Sequence, residues 1–149
     1  MKNLFFRIST LVFISFTVSN QALAWGAKGH RIIGEIAQRH LDPKVLKKVD
    51  KILQGESLAI CSTWMDHIKS NDSFNHMHPW HYCTIPNHKE KYEDGNETAK
   101  KGDIILTIER LLKELSSKNF TDGDERMAIR MIAHLVGAVS YTHLRAHET

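Results

Sequence analysis

The chain has 149 residues, 42% of them hydrophobic, and a formal net charge of +3 at pH 7. Its length leaves room for one modest domain. Four charged residues (Lys2, Arg7, Arg145 and Glu148) fall outside the domain defined below, so the domain itself is nearly neutral. This balance excludes a broad basic field for polyanions, and any nucleic acid would need a local binding site.

The N-terminus has the organisation of a secretory signal peptide, which we place at residues 1–24. A positively charged segment precedes an apolar run at 11–18, and Ala22-Leu23-Ala24 offers small residues for cleavage. The apolar run is too short to cross a membrane comfortably. We therefore expect cleavage between Ala24 and Trp25 and a secreted or periplasmic protein, with no membrane association in its mature form.

Apolar residues recur at helical spacing in five segments after this leader. They predict helices at about 28–40, from Pro43 until Gly55, at 57–69, at 104–115 with Asp103 as its cap, and at 124–137. Polar loops are predicted at 71–79 and 87–102, with a short extended segment at 80–85 between them. No segment has a strand pattern long enough for a sheet, so we expect an all-α domain.

The chain contains two cysteines, Cys61 and Cys83, in a protein expected to reach an oxidising compartment. A disulfide between them is therefore allowed, and it would close a loop that carries Asp66 and His81. Two buried free thiols, or partner cysteines missing from this chain, are the alternatives.

The C-terminal segment differs in character from the rest of the chain. Helical periodicity holds through Val136, and the following residues have neither an apolar face nor a helix stop. Residues 138–149 resemble one translation frame of a transposon-type sequencing adapter, so we predict that they are foreign. The native domain would then comprise residues 25–137 and be truncated at Gly137, and the histidines of the tail carry no weight.

Three residues in different predicted elements are candidate metal ligands. His134 lies in an apolar run on the buried side of a helix, where both ring nitrogens need a partner. Asp66 lies near the apolar face of another predicted helix, a costly place for a carboxylate without a cation. His81 lies between two aromatic residues in a segment expected to pack against the helices.

The predicted new N-terminus adds two further candidates. Signal peptide removal would expose the amine of Trp25, whose nitrogen and carbonyl oxygen could chelate a divalent cation as a five-membered ring. His30, little more than one helical turn away, could complete that set. Imidazoles, a carboxylate and an amine together are a plausible set of zinc ligands.

Three motifs in this order resemble the nuclease S1/P1 family of zinc-dependent single-strand nucleases. They are Trp25-Gly-x-x-Gly-His30, Ser62-Thr-Trp64-Met-Asp66 followed by Trp80-His81-Tyr82, and Ala133-His134-Leu-Val-Gly137. The resemblance covers Trp25 to Gly137, roughly the N-terminal half of a typical member. It implies a phospholipase C/nuclease-like helical fold, here truncated.

The resemblance also implies an arrangement of three zinc ions in an intact member. Trp25 and His30 look like ligands of one zinc, and Asp66, His81 and His134 look like ligands of its close neighbour. The family pattern His-x-x-x-Asp places a bridging carboxylate one helical turn after the histidine, where this chain has Ala138. Nothing here matches the ligands of the third zinc, so the chain carries ligands for at most two.

The activity implied by the resemblance is phosphodiester hydrolysis of single-stranded DNA or RNA, and of nucleotides, giving 5′-phosphorylated products. We expect the chain as written to be inactive through truncation. Trp64, Trp80 and Tyr82 could form a base-stacking platform or be core packing. A phospholipase C-like lipid phosphodiesterase and a non-catalytic periplasmic zinc-binding module are the alternative functions.

Overall fold

The structure is a computed structural model that describes residues 25–83 and 102–146, with only the backbone described for Trp25 and for residues 140–146. The predicted signal peptide, nearly all of the predicted loop at 87–102, and the last three residues lie outside the described residues. In the ranges that are described, no helix combines the length and the hydropathy needed to cross a membrane.

The described residues form six α-helices and one 3₁₀ helix, without a strand. The helices are α1 (Trp25–His40), α2 (Pro43–Leu53), α3 (Leu58–Cys61), α4 (Trp64–Ile68), the 3₁₀ helix (Asp72–His81), α5 (Ile104–Ser117) and α6 (Glu125–Ala146). The expected all-α fold is therefore confirmed.

The ends of α2 are set by local interactions that the sequence predicts. The Asp42 side chain accepts a hydrogen bond from the Lys44 amide at 2.8 Å, and Pro43 occupies the first helical position. At the other end Gln54 and Gly55 take positive φ angles of 57° and 81°. This left-handed turn closes the helix, as glycine at this position commonly does.

The prediction of one continuous helix over residues 57–69 is wrong, because the chain forms two short helices there. The hydroxyl groups of Ser62 and Thr63 donate to the carbonyls of Ala59 and Ile60, each at 2.9 Å. Such side-chain hydrogen bonds to the backbone compete with a regular helix. They separate α3 from α4 and turn the chain between Cys61 and Trp64.

The prediction of a polar loop at 71–79 is also wrong, because the chain forms the 3₁₀ helix there. Asn71 caps it by accepting a hydrogen bond from the Ser73 amide at 3.1 Å. Met77 and Trp80 are both buried and lie three residues apart, which places them on one side of a helix with three residues per turn. Extended backbone begins only at Tyr82, with φ −149° and ψ 160°.

The last helix, α6, is the centre of the fold, because it contacts each of the other helices. The larger core cluster comprises Met65, Met77, Trp80, Ile104, Leu111, Ala128, Met131 and Leu135. A smaller cluster comprises Leu53, Leu58 and Cys61, and Ile129 and Ala133 of α6 pack against it. His134 is as deeply buried as its neighbour Leu135, so α6 carries an imidazole into the interior.

Helix α6 continues beyond the predicted end at Gly137 and reaches Ala146. Residues 138–146 contain neither glycine nor proline, and extending an existing helix costs far less than starting one. The foreign origin of residues 138–149 stays a prediction, because the course of the backbone does not depend on where a sequence comes from.

The two cysteines are free thiols, so the candidate disulfide is not formed in the structure. Cys61 is fully buried in the smaller cluster, whereas Cys83 is half-buried and packs against the larger one. Of the alternative, two buried free thiols, the structure has the free thiols, but only Cys61 is buried.

We expect a thiol reagent at about pH 8 to modify Cys83 well before Cys61 in the native chain. Burial raises the pKa of the Cys61 thiol to about 12, so the group stays protonated at this pH and out of contact with solvent. Mass spectrometry of the modified chain measures the order of reaction. Both cysteines should react at once after unfolding, and equal native rates would contradict the burial of Cys61.

Candidate metal centre

The side chain of His134 is fixed by a hydrogen bond across the domain. Its Nδ1 donates to the carbonyl of Ser62, at 2.8 Å, and only 1% of the residue is exposed. A carbonyl can only accept, so the proton of the neutral ring resides on Nδ1. The Nε2 lone pair is thereby left available to a metal, as in metal-binding histidines whose other nitrogen is held by a carbonyl.

His30 on α1 lies against this ring. The two imidazoles are stacked with centroids 4.0 Å apart and an angle of 18° between their planes. The Nε2 atom of His30 is 3.9 Å from Oδ2 of Asp66, which α4 carries to the same place. The stacking requires α1 and α6 to pack closely, and these helices are in contact along this face.

His30, Asp66 and His134 form a cluster with the geometry of a metal site, and we refer to it as the triad. Each residue offers one ligand atom, and these atoms all lie within 4.8 Å of one another. Two imidazole nitrogens and one carboxylate oxygen are ligands that suit zinc and similar divalent metals. The triad draws one ligand from each of three helices, α1, α4 and α6.

His81 adds a fourth nitrogen at the edge of the triad. Its ring centroid is 5.1 Å from that of His134, and the rings meet edge to face. Its Nδ1 lies 3.2 Å from the carbonyl of Met77 and 3.3 Å from that of His78. Its buried Nε2 has no hydrogen-bond partner among the described residues, and a metal ligand position is one role that would satisfy it.

The fifth predicted ligand, Trp25, is the first residue of α1, five positions before His30. Its side chain is outside what the structure describes, and its proposed role as a ligand through the backbone stays a prediction. The structure therefore brings together four of the five predicted ligands.

The histidines of the site are held in the form that can bind metal. Burial lowers the pKa of His30 and of His81, and it lowers the pKa of His134 to about 4. All three rings are consequently neutral near pH 7, and a metal does not have to displace protons from them. Burial acts to raise the pKa of Asp66. The hydrogen bond from Lys69, together with the charges that His134 and His30 carry when protonated at acid pH, lowers it overall.

Three residues that shape the site were not among the predicted ligands. Ser62 supplies the carbonyl that orients His134, Lys69 contacts Asp66, and Gly137 leaves room for the ring of His30. Gly137 lies three residues after His134, so its presence on the same helix face is visible in the sequence. Lys69 lies three residues after Asp66, a spacing that is also visible in the sequence. The role of Ser62 depends on the turn between α3 and α4, which the sequence pattern did not indicate.

The fold and the triad together define a helical protein with a candidate divalent-metal centre. The sequence profile of the S1/P1 nuclease family matches residues 25–141, which include all five predicted ligands. The chain belongs to the S1/P1 nuclease family.

Individual relatives in this family come from a plant. Endonuclease 4 of Arabidopsis thaliana is 32% identical over 95 residues, which cover 59% of this chain and 31% of the relative. Endonuclease 3 of the same organism is 27% identical over 138 residues, which cover 87% of this chain and 46% of the relative. The matched part thus spans less than half the length of each of these curated relatives.

Substituting Gly137 tests the close packing between α1 and α6. A Cβ atom at this position would lie 2.6 Å from Nδ1 of His30, a ring already held by stacking on His134. We expect Gly137→Ala to displace His30 and to lower the free energy of unfolding of the metal-free chain by about 1–3 kcal/mol. Urea unfolding followed by circular dichroism measures the change.

The matched control is the same substitution in a His30→Ala background. Without the ring, Gly137→Ala should stabilise α6 by up to about 1 kcal/mol, because alanine is the better helix former. A double-mutant cycle isolates the contact. Equal effects of Gly137→Ala in both backgrounds would contradict a clash with His30.

Proposed function

We propose that the whole protein is a zinc-dependent enzyme that hydrolyses phosphodiester bonds of single-stranded nucleic acid and nucleotides. The observation that carries the proposal is the convergence of the triad and His81 in a chain that belongs to a nuclease family. The relatives described above are named endonucleases, which favours nucleic acid as the substrate class.

The residues of the site fit zinc in number, type and protonation. Zinc bound there would supply Lewis acidity, which polarises a phosphodiester and activates water for attack on it. His134 and His81 each direct one ring nitrogen to backbone carbonyls and keep the other available. Asp66 contributes the negative charge that offsets the charge of the metal.

The position of Ala138 limits what this chain does alone. It lies one helical turn after His134 on α6, where the family pattern has a bridging carboxylate. A methyl group cannot bind a metal, so Ala138 would not supply the carboxylate that the family pattern places there. We expect the 149-residue chain to bind zinc without cleaving nucleic acid, and we assign the activity to a protein of the family's full length.

Base recognition by aromatic stacking would account for a single-strand preference. Trp80 is 9% exposed and Trp64 packs edge to face on Phe74 with ring centroids 5.8 Å apart, so both serve the core. Tyr82 is 55% exposed and directly follows His81. Among the three aromatics considered above, Tyr82 is the most exposed and therefore offers the most surface to a base.

Export is part of the proposal. Cleavage between Ala24 and Trp25 would place a free amine at the start of α1, and this amine with the Trp25 carbonyl would be a ligand beside His30. The protein would then act in the periplasm or outside the cell. A precursor that keeps its leader would lack the amine and bind zinc more weakly.

A lipid phosphodiesterase remains the second candidate function, and one observation favours it. An apolar groove of about 190 Å³ lies between α1 and α6, lined by residues that include Ile33, Leu58, Ile132 and Val136. We prefer nucleic acid because the relatives carry the name endonuclease. Parallel assays of the whole protein on single-stranded DNA and on phosphatidylcholine vesicles distinguish the two.

Zinc titration of the chain tests the metal centre. We expect Asp66→Asn to weaken zinc binding by roughly 100-fold or more, since even outer partners of ligands are worth about 10–100-fold. Ala138→Asp should strengthen binding, because it adds a carboxylate one turn after His134. Competition with a chromogenic chelator measures both affinities.

Cleavage assays on the whole protein test the proposed activity itself. It should cleave single-stranded DNA, lose this activity with a chelator and regain it with zinc, whereas a non-catalytic zinc-binding module would bind zinc without cleavage. Chelator-resistant cleavage, or unchanged zinc affinity in Asp66→Asn, would refute the proposal.

A further inference from the structure

The Asp66 carboxylate makes a different contact with each of its two oxygens. Its Oδ1 accepts a hydrogen bond from Nζ of Lys69 at 2.6 Å, and its Oδ2 faces Nε2 of His30 at 3.9 Å. Lys69 is the residue that caps the C-terminal end of α4, three positions after Asp66. The short helix thus brings a cation and the carboxylate of the triad together within its last turn.

Lys69 compensates for the charge of Asp66 through a direct ion pair. The Asp66 side chain is 33% exposed, so part of its hydration is lost, and an unpaired carboxylate there would be unfavourable. The hydrogen bond from Lys69 therefore brings a positive charge to the same carboxylate that a metal in the triad would use.

The oxygen that Lys69 contacts belongs to a ligand of the triad. The other oxygen of Asp66 faces Nε2 of His30 at 3.9 Å, and one ligand atom from each of His30, Asp66 and His134 lies within 4.8 Å of the others. A divalent metal held there would be close to the ammonium group of Lys69, and two positive charges at short range repel each other.

We propose that the ammonium group of Lys69 occupies Oδ1 of Asp66 and competes there with a divalent metal that binds the triad. Asp66 then offers the metal its Oδ2 alone, and metal affinity is set below what the ligands by themselves would give. This inference rests on the metal centre proposed above and assigns to Lys69 a positioning role that acts through Asp66.

Neutralising Lys69 should strengthen zinc binding. We expect Lys69→Met, which keeps the length of the aliphatic stem, to bind zinc about tenfold more tightly at low ionic strength, an effect typical of a unit charge near a partly hydrated site. Lys69→Arg keeps the charge and should bind zinc like the wild type. Chelator competition on the 149-residue chain, with circular dichroism to confirm folding, measures all three affinities.

Lys113→Met is the matched control for net charge. Lys113 is exposed on α5, so its removal should leave zinc affinity unchanged. The gain in Lys69→Met should shrink in about 1 M salt, because the Lys69 side chain is 47% exposed and its charge is screened. A purely structural role of Lys69 predicts the opposite direction, a loss of affinity when the residue is replaced.

The outcomes separate this inference from the function on which it rests. If the wild-type chain binds zinc and Lys69→Met binds it equally or more weakly, the competition by Lys69 is refuted while the metal centre stands. Lys69→Gln, which also lacks the charge, must agree with Lys69→Met. If the wild-type chain binds no zinc, both the metal centre and the inference are wrong.

Discussion

The hydrogen bond from His134 Nδ1 to the carbonyl of Ser62 is the constraint on which the fold and the site both depend. It joins residues 72 positions apart in the sequence, and it is buried. A buried imidazole without such a partner would be costly, and a buried carbonyl without one equally so. The central helix α6 is thus fixed to the turn between α3 and α4. The same bond fixes the orientation of the His134 ring within the triad.

Close approach of two helices is the second requirement. The ring of His30 can stack on His134 only because Gly137 presents no side chain to it. Asp66 then comes within reach because α4 begins after the short break at Ser62 and Thr63. Each ligand comes from a separate helix, so the geometry of the site depends on helix packing and cannot form in an isolated segment.

Charge is arranged around this site by local pairs, not by the surface as a whole. The domain is nearly neutral, yet Lys69 contacts Asp66, and Arg130 on α6 contacts Glu56 at 2.5 Å beside the smaller core cluster. In each pair the cation offsets the negative charge of a carboxylate that is partly removed from water. Recognition of a polyanion would accordingly depend on a metal and on a few residues near it.

Periodicity, caps and composition determined much of this protein in advance. The all-α class, the start of α2 at Asp42 and Pro43, the cap of α5 at Asp103 and the burial of His134 are all properties of neighbouring residues. The candidate ligands His30, Asp66, His81 and His134 could be chosen from their residue types, their local context and the resemblance to the family. Only the structure showed that α3 and α4 are separate, that residues 72–81 form a 3₁₀ helix, and that the two thiols stay apart. These features depend on hydroxyl-to-backbone hydrogen bonds and on contacts between distant helices, and neither leaves a periodic pattern in the sequence.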